Sequence, residues 1–357
     1  MTSISMVPKI MAIEKVEQIM GANKILKGAF SLAIYAGIGA GLMALADRPA
    51  HAEGAEPHEK VVENADVLPD TSTSTHDIQT VFVIPMENRN WADIKGSSEA
   101  PYINKTLLPM GAYAENFINP LHPSLPNYIT LEAGSDLGVT ADGLPSRYAQ
   151  ETHEHLSEQL HNAGISWRAY VESITGKDCP LTPEGPKDSN GSQEYVPRHF
   201  PQIFFKDMTN DNDSKSAYCI QRAELFSRLA SDLKDNAIGR YNFIVPNLCD
   251  IGHDPCGGNE VSHFDTWLKD HLPTILNSPQ YKTGHVLVII LADEARTGDG
   301  PTPLILLGAG VKKGYSNQVN YSQGSVLRTL QEIFGVSPFL GSAAKSNDFS
   351  AMFTTFP

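Results

Sequence analysis

The chain has 357 residues, 27 Lys and Arg against 41 Asp and Glu, and a formal net charge of −14. That length can bury a large core, and a composition of 41% hydrophobic and 19% charged residues excludes both an unstructured chain and a multi-pass membrane protein. The acidic balance argues against nucleic acid or an anionic lipid surface as an electrostatic partner, but a small phosphorylated substrate stays open, because a locally bound metal ion reverses the charge that such a substrate meets.

From the amino terminus, residues 28–46 form an uncharged run preceded by Lys24 and Lys27 and followed by Ala50-His51-Ala52. A basic stretch, an apolar stretch and small residues at a cleavage point predict a secretory signal over residues 1–52, and a secreted or periplasmic protein. An uncleaved membrane anchor is the competing reading. Residues 53–77, rich in Glu, Asp, Ser, Thr and Pro, predict a disordered lead-in, which leaves 78–357 as a single domain. All four cysteines, Cys179, Cys219, Cys249 and Cys256, lie in that part. An even count in an exported chain predicts two disulfides, and proximity pairs Cys249 with Cys256 and hence Cys179 with Cys219. A zinc cluster is disfavoured because no C-x-x-C pair is present.

The domain opens with TVFVI at residues 80–84, a β-rich run suited to a strand buried on both faces. Further strands are predicted at 166–171, 241–245, 285–291 and 304–307. Helical patterns fall at 151–162, 223–234, 263–276 and 324–334, with Gly164 stopping the first and Gly335 capping the last. This alternation predicts an α/β fold, a three-layer sandwich around a mostly parallel sheet. The polar stretch 177–216 reads as a long excursion held by a disulfide.

In open α/β sheets, sites collect beyond the carboxyl ends of the strands. Three of the apolar runs deliver carboxylates there: Glu87-Asn88-Arg89 after the first, Asp250, His253 and Asp254 after 241–245, and Asp293-Glu294 after 285–291. Acids gathered on one rim repel one another, and a divalent cation relieves the repulsion. Ser124, within HPSLPNY at 122–128, precedes a helical apolar stretch. Taken alone it is an N-cap; beside an anion site, the same helix N-terminus suits a hydroxyl that attacks phosphorus. His153, His155 and His161, with Glu154 and Glu158, lack the H-E-x-x-H spacing of a zinc protease and read as a solvated helix face.

Together with Trp167, Tyr170, Glu172, Arg198-His199-x-Pro201 and Pro246-Asn247, these motifs stand in the order found in the bacterial and fungal phosphoesterase family, which residues 79–335 resemble. That family includes secreted acid phosphatases, a mycobacterial phosphatidylinositol-3-phosphatase and larger bacterial phospholipases C. The resemblance implies an alkaline phosphatase-like fold. It implies that Glu87, Asn88, Asp293 and Glu294 hold one divalent metal ion, with magnesium, manganese or calcium favoured by the oxygen donors and zinc or iron less expected. Ser124 would be the nucleophile and form a phosphoserine; His253, with Asp254 beside it, would protonate the leaving oxygen. His199, His122 and Asn127 would bind the substrate. The implied activity is a metal-dependent acid phosphatase acting on phosphomonoesters. A phospholipase C-type phosphodiesterase and a catalytically degenerate phosphate-binding relative are the alternatives, the first of which would make a membrane phospholipid the substrate. Two departures bear on the metal. Ile251 stands where the family commonly has an acid, with Asp250 one place further off, and Gln323 stands where a histidine is common. Both favour a site with a single cation.

Overall fold

Residues 77–357, apart from Asn190, are described by a computed structural model. The predicted signal at 1–52, and all of the predicted lead-in except residue 77, lie outside the described residues. Among the described residues no helix is long and apolar enough to cross a membrane.

Among the described residues ten strands form: β1 (Thr80–Met86), β2 (Ala112–Ala114), β3 (Trp167–Val171), β4 (Glu184–Lys187), β5 (Gln193–Tyr195), β6 (Ala223–Leu225), β7 (Tyr241–Val245), β8 (Val286–Ala292), β9 (Leu304–Gly308) and β10 (Tyr315–Asn317). Eight of them make one sheet in the order β10-β2-β9-β8-β1-β7-β3-β6, and β4 pairs with β5 in a separate hairpin. The run β8-β1-β7-β3-β6 is parallel throughout. β9 lies antiparallel to β8 and to β2. The mostly parallel sheet expected from the sequence is therefore the one observed.

Its two faces are read directly from residue alternation. Along β1, Val81 and Val83 join one buried cluster while Phe82, Ile84 and Met86 join the other; β8 divides likewise between Leu287, Ile289, Leu291 and Val288, Ile290, Ala292. Successive side chains of a strand leave on opposite faces, so uninterrupted apolar runs need cover on both sides. Helices α1 (Ser124–Ala133) and α2 (Leu156–Asn162) cover the first face. On the second lie α3 (Leu229–Asp235), which contributes Leu229 and Leu233, and α4 (Glu260–Leu276), which contributes Phe264, Trp267 and Leu268. Helix α5 (Gln323–Phe334) completes the first face through Val326, Leu327, Leu330 and Ile333.

Several boundaries differ from the sequence reading. Residues 223–234 are not one helix: Ala223–Leu225 is an edge strand, and a helical turn separates it from α3. Pairing with β3 through Tyr170↔Glu224 overrides a helical pattern there, as tertiary contact overrides local propensity. The pattern at 151–162 becomes helical only from Leu156. As a result the three histidines do not share a solvated helix face. His155 is fully buried, its ring is stacked on Phe205 at 4.0 Å, and its Nε2 lies 3.0 Å from Asp207 Oδ2.

Both expected disulfides are present, Cys179–Cys219 and Cys249–Cys256. The first closes the excursion containing β4 and β5. That segment is less peripheral than its polarity suggests, because Phe200, Phe204 and Phe205 are buried in the core. Helix α1 ends at Gly134, whose φ is 69°. A Cβ there would stand 2.3 Å from the Leu340 carbonyl oxygen, so chain geometry and packing both require glycine.

Candidate active site

Because β8, β1 and β7 run parallel, the segments leaving their carboxyl ends meet on one edge of the sheet. β1 is followed by a sharp turn at Asn88, whose φ is 41°, a conformation Asn tolerates better than most side chains. The turn is fixed from both neighbours. Glu87 N–H donates to Ile251 O at 3.0 Å and Arg89 N–H to Glu294 O at 3.1 Å, while Asn88 N–H donates to Asp293 Oδ1 at 3.2 Å. The Arg89 guanidinium donates to the carbonyls of Gly252 and Asn88, which ties the β1 turn to the loop after β7.

Ser124 occupies the first position of α1 and is 2% exposed. Its Oγ donates to Glu87 Oε2 at 2.8 Å, with Asn88 Oδ1 at 3.4 Å and Glu294 Oε1 at 3.5 Å. One hydroxyl proton cannot serve three acceptors. Asn127, a turn further along α1, donates to Glu294 Oε2 at 3.2 Å and to the Leu121 carbonyl at 2.8 Å. His122 Nδ1 lies 2.7 Å from the same Glu294 oxygen. His122 and Asn127 are thus brought to the cluster by holding Glu294.

Burial of three acids together raises each of them. Glu87 is pushed up to about 8 by desolvation and then by the charge of Asp293. Asp293 rises to about 8 by desolvation and by Glu294, and Glu294 to about 8 by desolvation, Glu87 and Asp142. Glu87 Oε1 and Asp293 Oδ2 are buried without any hydrogen-bond partner. Buried oxygens left unsatisfied cost free energy, and a cluster of hard anionic oxygens beside an amide oxygen is the donor set of a hard divalent cation. The residues present therefore fit such an ion.

On the other side of Glu87 lies His199, buried and stacked on Tyr128 at 5.4 Å between centroids. Its Nε2 is 3.3 Å from Glu87 Oε1 without hydrogen-bonding geometry. Desolvation, together with the charges of Arg198 and His253, holds its pKa well below that of an ordinary imidazole, so the ring is neutral. His253, 6.2 Å from His199 between ring centroids, is oriented by Asp254, whose Oδ1 is 2.6 Å from Nδ1.

The departures noted in the sequence have structural consequences. Ile251 is fully buried and contributes only its backbone carbonyl to the Glu87 turn. Asp250 is engaged within its own loop: it accepts from Asn247 Nδ2 at 2.7 Å and neighbours Glu172, which is raised to about 7 mainly by burial. Gln323 takes no acidic partner. Its Nε2 donates to the Asp293 carbonyl at 2.9 Å and to Asn127 Oδ1 at 3.2 Å. Tyr128 and Asp142 were not singled out by their sequence setting. Asp142 accepts the Leu125 N–H at 3.0 Å, a contact across a loop that no local pattern encodes. Away from these residues, His153, Glu158 and Asp207 present one donor atom each within 4.8 Å of one another.

A mostly parallel sheet covered by helices on both faces is a fold that this chain shares with solved structures. An alkaline phosphatase superfamily protein from Vibrio parahaemolyticus superposes with a TM-score of 0.51 at 10% identity, over 76% of this chain and 70% of that one. The chain belongs to the phosphoesterase family, whose sequence description matches residues 110–337. It is 26% identical to a phosphatidylinositol-3-phosphatase of Mycobacterium tuberculosis over 72% of this chain and 77% of the relative. It is 27% identical to a phosphate-repressible acid phosphatase of Penicillium chrysogenum over 65% of this chain, but spans only 53% of that fungal protein.

Proposed function

We propose that this chain is an exported, cation-dependent phosphatase that hydrolyses phosphomonoesters through Ser124. The observation that carries the proposal is the Ser124 hydroxyl, at the start of α1, donating to Glu87 at 2.8 Å amid buried carboxylate oxygens without partners. The relatives named acid phosphatase and phosphatidylinositol-3-phosphatase support the reaction class. The uncharged run at 28–46 and the two disulfides support export.

A divalent cation held by Glu87, Asn88, Asp293 and Glu294 would neutralise the acids and the phosphoryl oxygens facing them. The chain's own groups then account for the proton traffic. Ser124 Oγ attacks phosphorus in line with the ester oxygen, and its proton passes to Glu87 Oε2. The bond from phosphorus to the ester oxygen breaks as protonated His253, its Nδ1 held by Asp254, delivers a proton to that oxygen. The neutral His253 next takes a proton from water, whose oxygen attacks the phosphoserine. Ser124 leaves and regains its proton from Glu87, so the cycle closes with one phosphate and one alcohol formed. Neutral His199 and the N-terminal end of α1 contribute hydrogen-bond donors toward the phosphoryl oxygens.

The test is p-nitrophenyl phosphate hydrolysis by the purified, oxidised protein, stripped of metal and resupplied with single cations. Cation-restored turnover is expected, and Ser124→Ala should lose at least about 10³-fold in kcat with its fold intact. Near-normal turnover by a folded Ser124→Ala protein removes Ser124 as nucleophile. Faster hydrolysis of the bis-ester than of the monoester would instead assign a phosphodiesterase.

A further inference from the structure

Among the described charged groups near Ser124, the Arg198 guanidinium is held only by a long ion pair. Arg198 follows Pro197 in the helical turn that also carries His199, and its side chain is 19% exposed. Its Nε is buried and makes no hydrogen bond. The nearest acid is Asp142, whose Oδ2 stands 3.6 Å from Nε, beyond hydrogen-bonding reach. Asp142 is itself fixed by its other oxygen, which accepts the Leu125 N–H at 3.0 Å. The guanidinium is thereby placed against the loop that caps α1, one residue from Ser124. Its charge is felt at Glu87, Tyr128 and His199, and Glu87 is the acceptor of the serine hydroxyl.

A guanidinium presents five N–H donors in a planar fork and does not lose its charge. Leaving the buried Nε–H of such a fork without an acceptor is costly unless a ligand supplies one. The fork matches two oxygens of a tetrahedral anion, whereas Glu87, Asp293 and Glu294 across the site offer oxygen atoms suited to a cation. Resting on the phosphatase reading above, we infer that Arg198 binds the phosphoryl group of the substrate, that Asp142 positions it, and that this contact selects the dianionic head of a phosphomonoester over a singly charged diester. A dianion has three terminal oxygens to share between the fork, the α1 N-terminus and the acid-rich side of the site. A diester has two and carries half the charge.

The experiment compares wild type, Arg198→Ala, Arg198→Lys and Asp142→Asn, each supplied with magnesium or manganese. It reads kcat/KM for p-nitrophenyl phosphate and for its bis-ester, and the inhibition constant of inorganic phosphate. Arg198→Ala is expected to lower monoester kcat/KM by about 10²-fold and to weaken phosphate inhibition in parallel, with a smaller loss on the bis-ester. Arg198→Lys, a point charge without the fork, should restore part of the loss. Asp142→Asn should raise KM more than it lowers kcat. If Arg198→Ala does not fold, Arg198→Gln takes its place. Monoester turnover and phosphate inhibition within about twofold of wild type, in a protein that Ser124→Ala inactivates, overturn the role of Arg198 while leaving the phosphatase reading intact. Equal losses on monoester and bis-ester overturn the selectivity. If wild type hydrolyses neither ester, the phosphatase reading falls, and phosphate affinity measured by calorimetry decides Arg198 alone: unchanged affinity in Arg198→Ala removes it.

Discussion

Gln323 illustrates how a single residue sets the acidic cluster without belonging to it. Its amide nitrogen reaches the Asp293 carbonyl and Asn127 Oδ1, and Asn127 in turn holds Glu294. Outer groups of this kind orient the ligands of a cation and govern its affinity. Gln323→Ala should weaken magnesium or manganese binding by about 10- to 100-fold, measured by calorimetry, with an unchanged melting temperature in the metal-free protein. Equal affinity in the variant would show that Asn127 and Asp293 keep their places unaided. At this scale the sequence was informative wherever chemistry sits at a strand end. Glu87, Asn88, Asp293 and Glu294 follow apolar runs directly, so their convergence could be read from strand polarity. The tether from Gln323 and the capping contact from Asp142 could not. Each joins residues far apart in the chain through side chains whose direction depends on packing.

Among the elements, the central strands were legible because they are buried on both faces and hence continuously apolar. The three-residue strands β2, β6 and β10 carry too little pattern to be seen, and β6 lies inside a stretch whose spacing suits a helix. The excursion from residue 177 to 216 is held by its disulfide as expected and by packing as well. Its polarity reflects the hairpin β4–β5, whereas Phe200, Phe204 and Phe205 anchor its far end beneath α1. The Cys179–Cys219 bond closes a 40-residue separation around this segment. By loop-closure entropy alone such a link contributes about 4 kcal/mol. Cys179→Ser with Cys219→Ser should therefore lower the melting temperature by several degrees. It should also raise KM for a phosphomonoester more than it lowers kcat, since His199 and Arg198 ride on the segment. A variant with unaltered melting temperature would show the segment to be held by its aromatic anchors alone.

For the whole molecule, the acidic cluster couples stability to pH and to cation. Glu87, Asp293 and Glu294 hold protons up to about 8 in the folded chain, against roughly 4 for such groups in an unfolded one. The folded state then binds more protons than the unfolded state between those limits, so stability falls as pH rises through them. Metal-free protein is expected to melt at progressively lower temperature from about pH 5 to about pH 8, and saturating magnesium or manganese should flatten that slope by binding the folded state. A metal-free melting temperature that climbs over the same interval would contradict the buried-acid description.

The distribution of charge along the chain adds a consequence for when the site comes into being. The acids leave the ends of core strands, where sheet assembly alone brings them together. The groups proposed to face a phosphoryl anion are carried differently: Arg198 and His199 lie between Cys179 and Cys219, and His253 between Cys249 and Cys256. A chain folded in a reducing compartment can bring these acids together while the segments carrying Arg198, His199 and His253 are held by packing alone. For an exported chain, as proposed above, oxidation would then be the closing step of maturation. Competence would be acquired at the destination, and a precursor lingering at its place of synthesis would be a poor hydrolase among the phosphate esters around it.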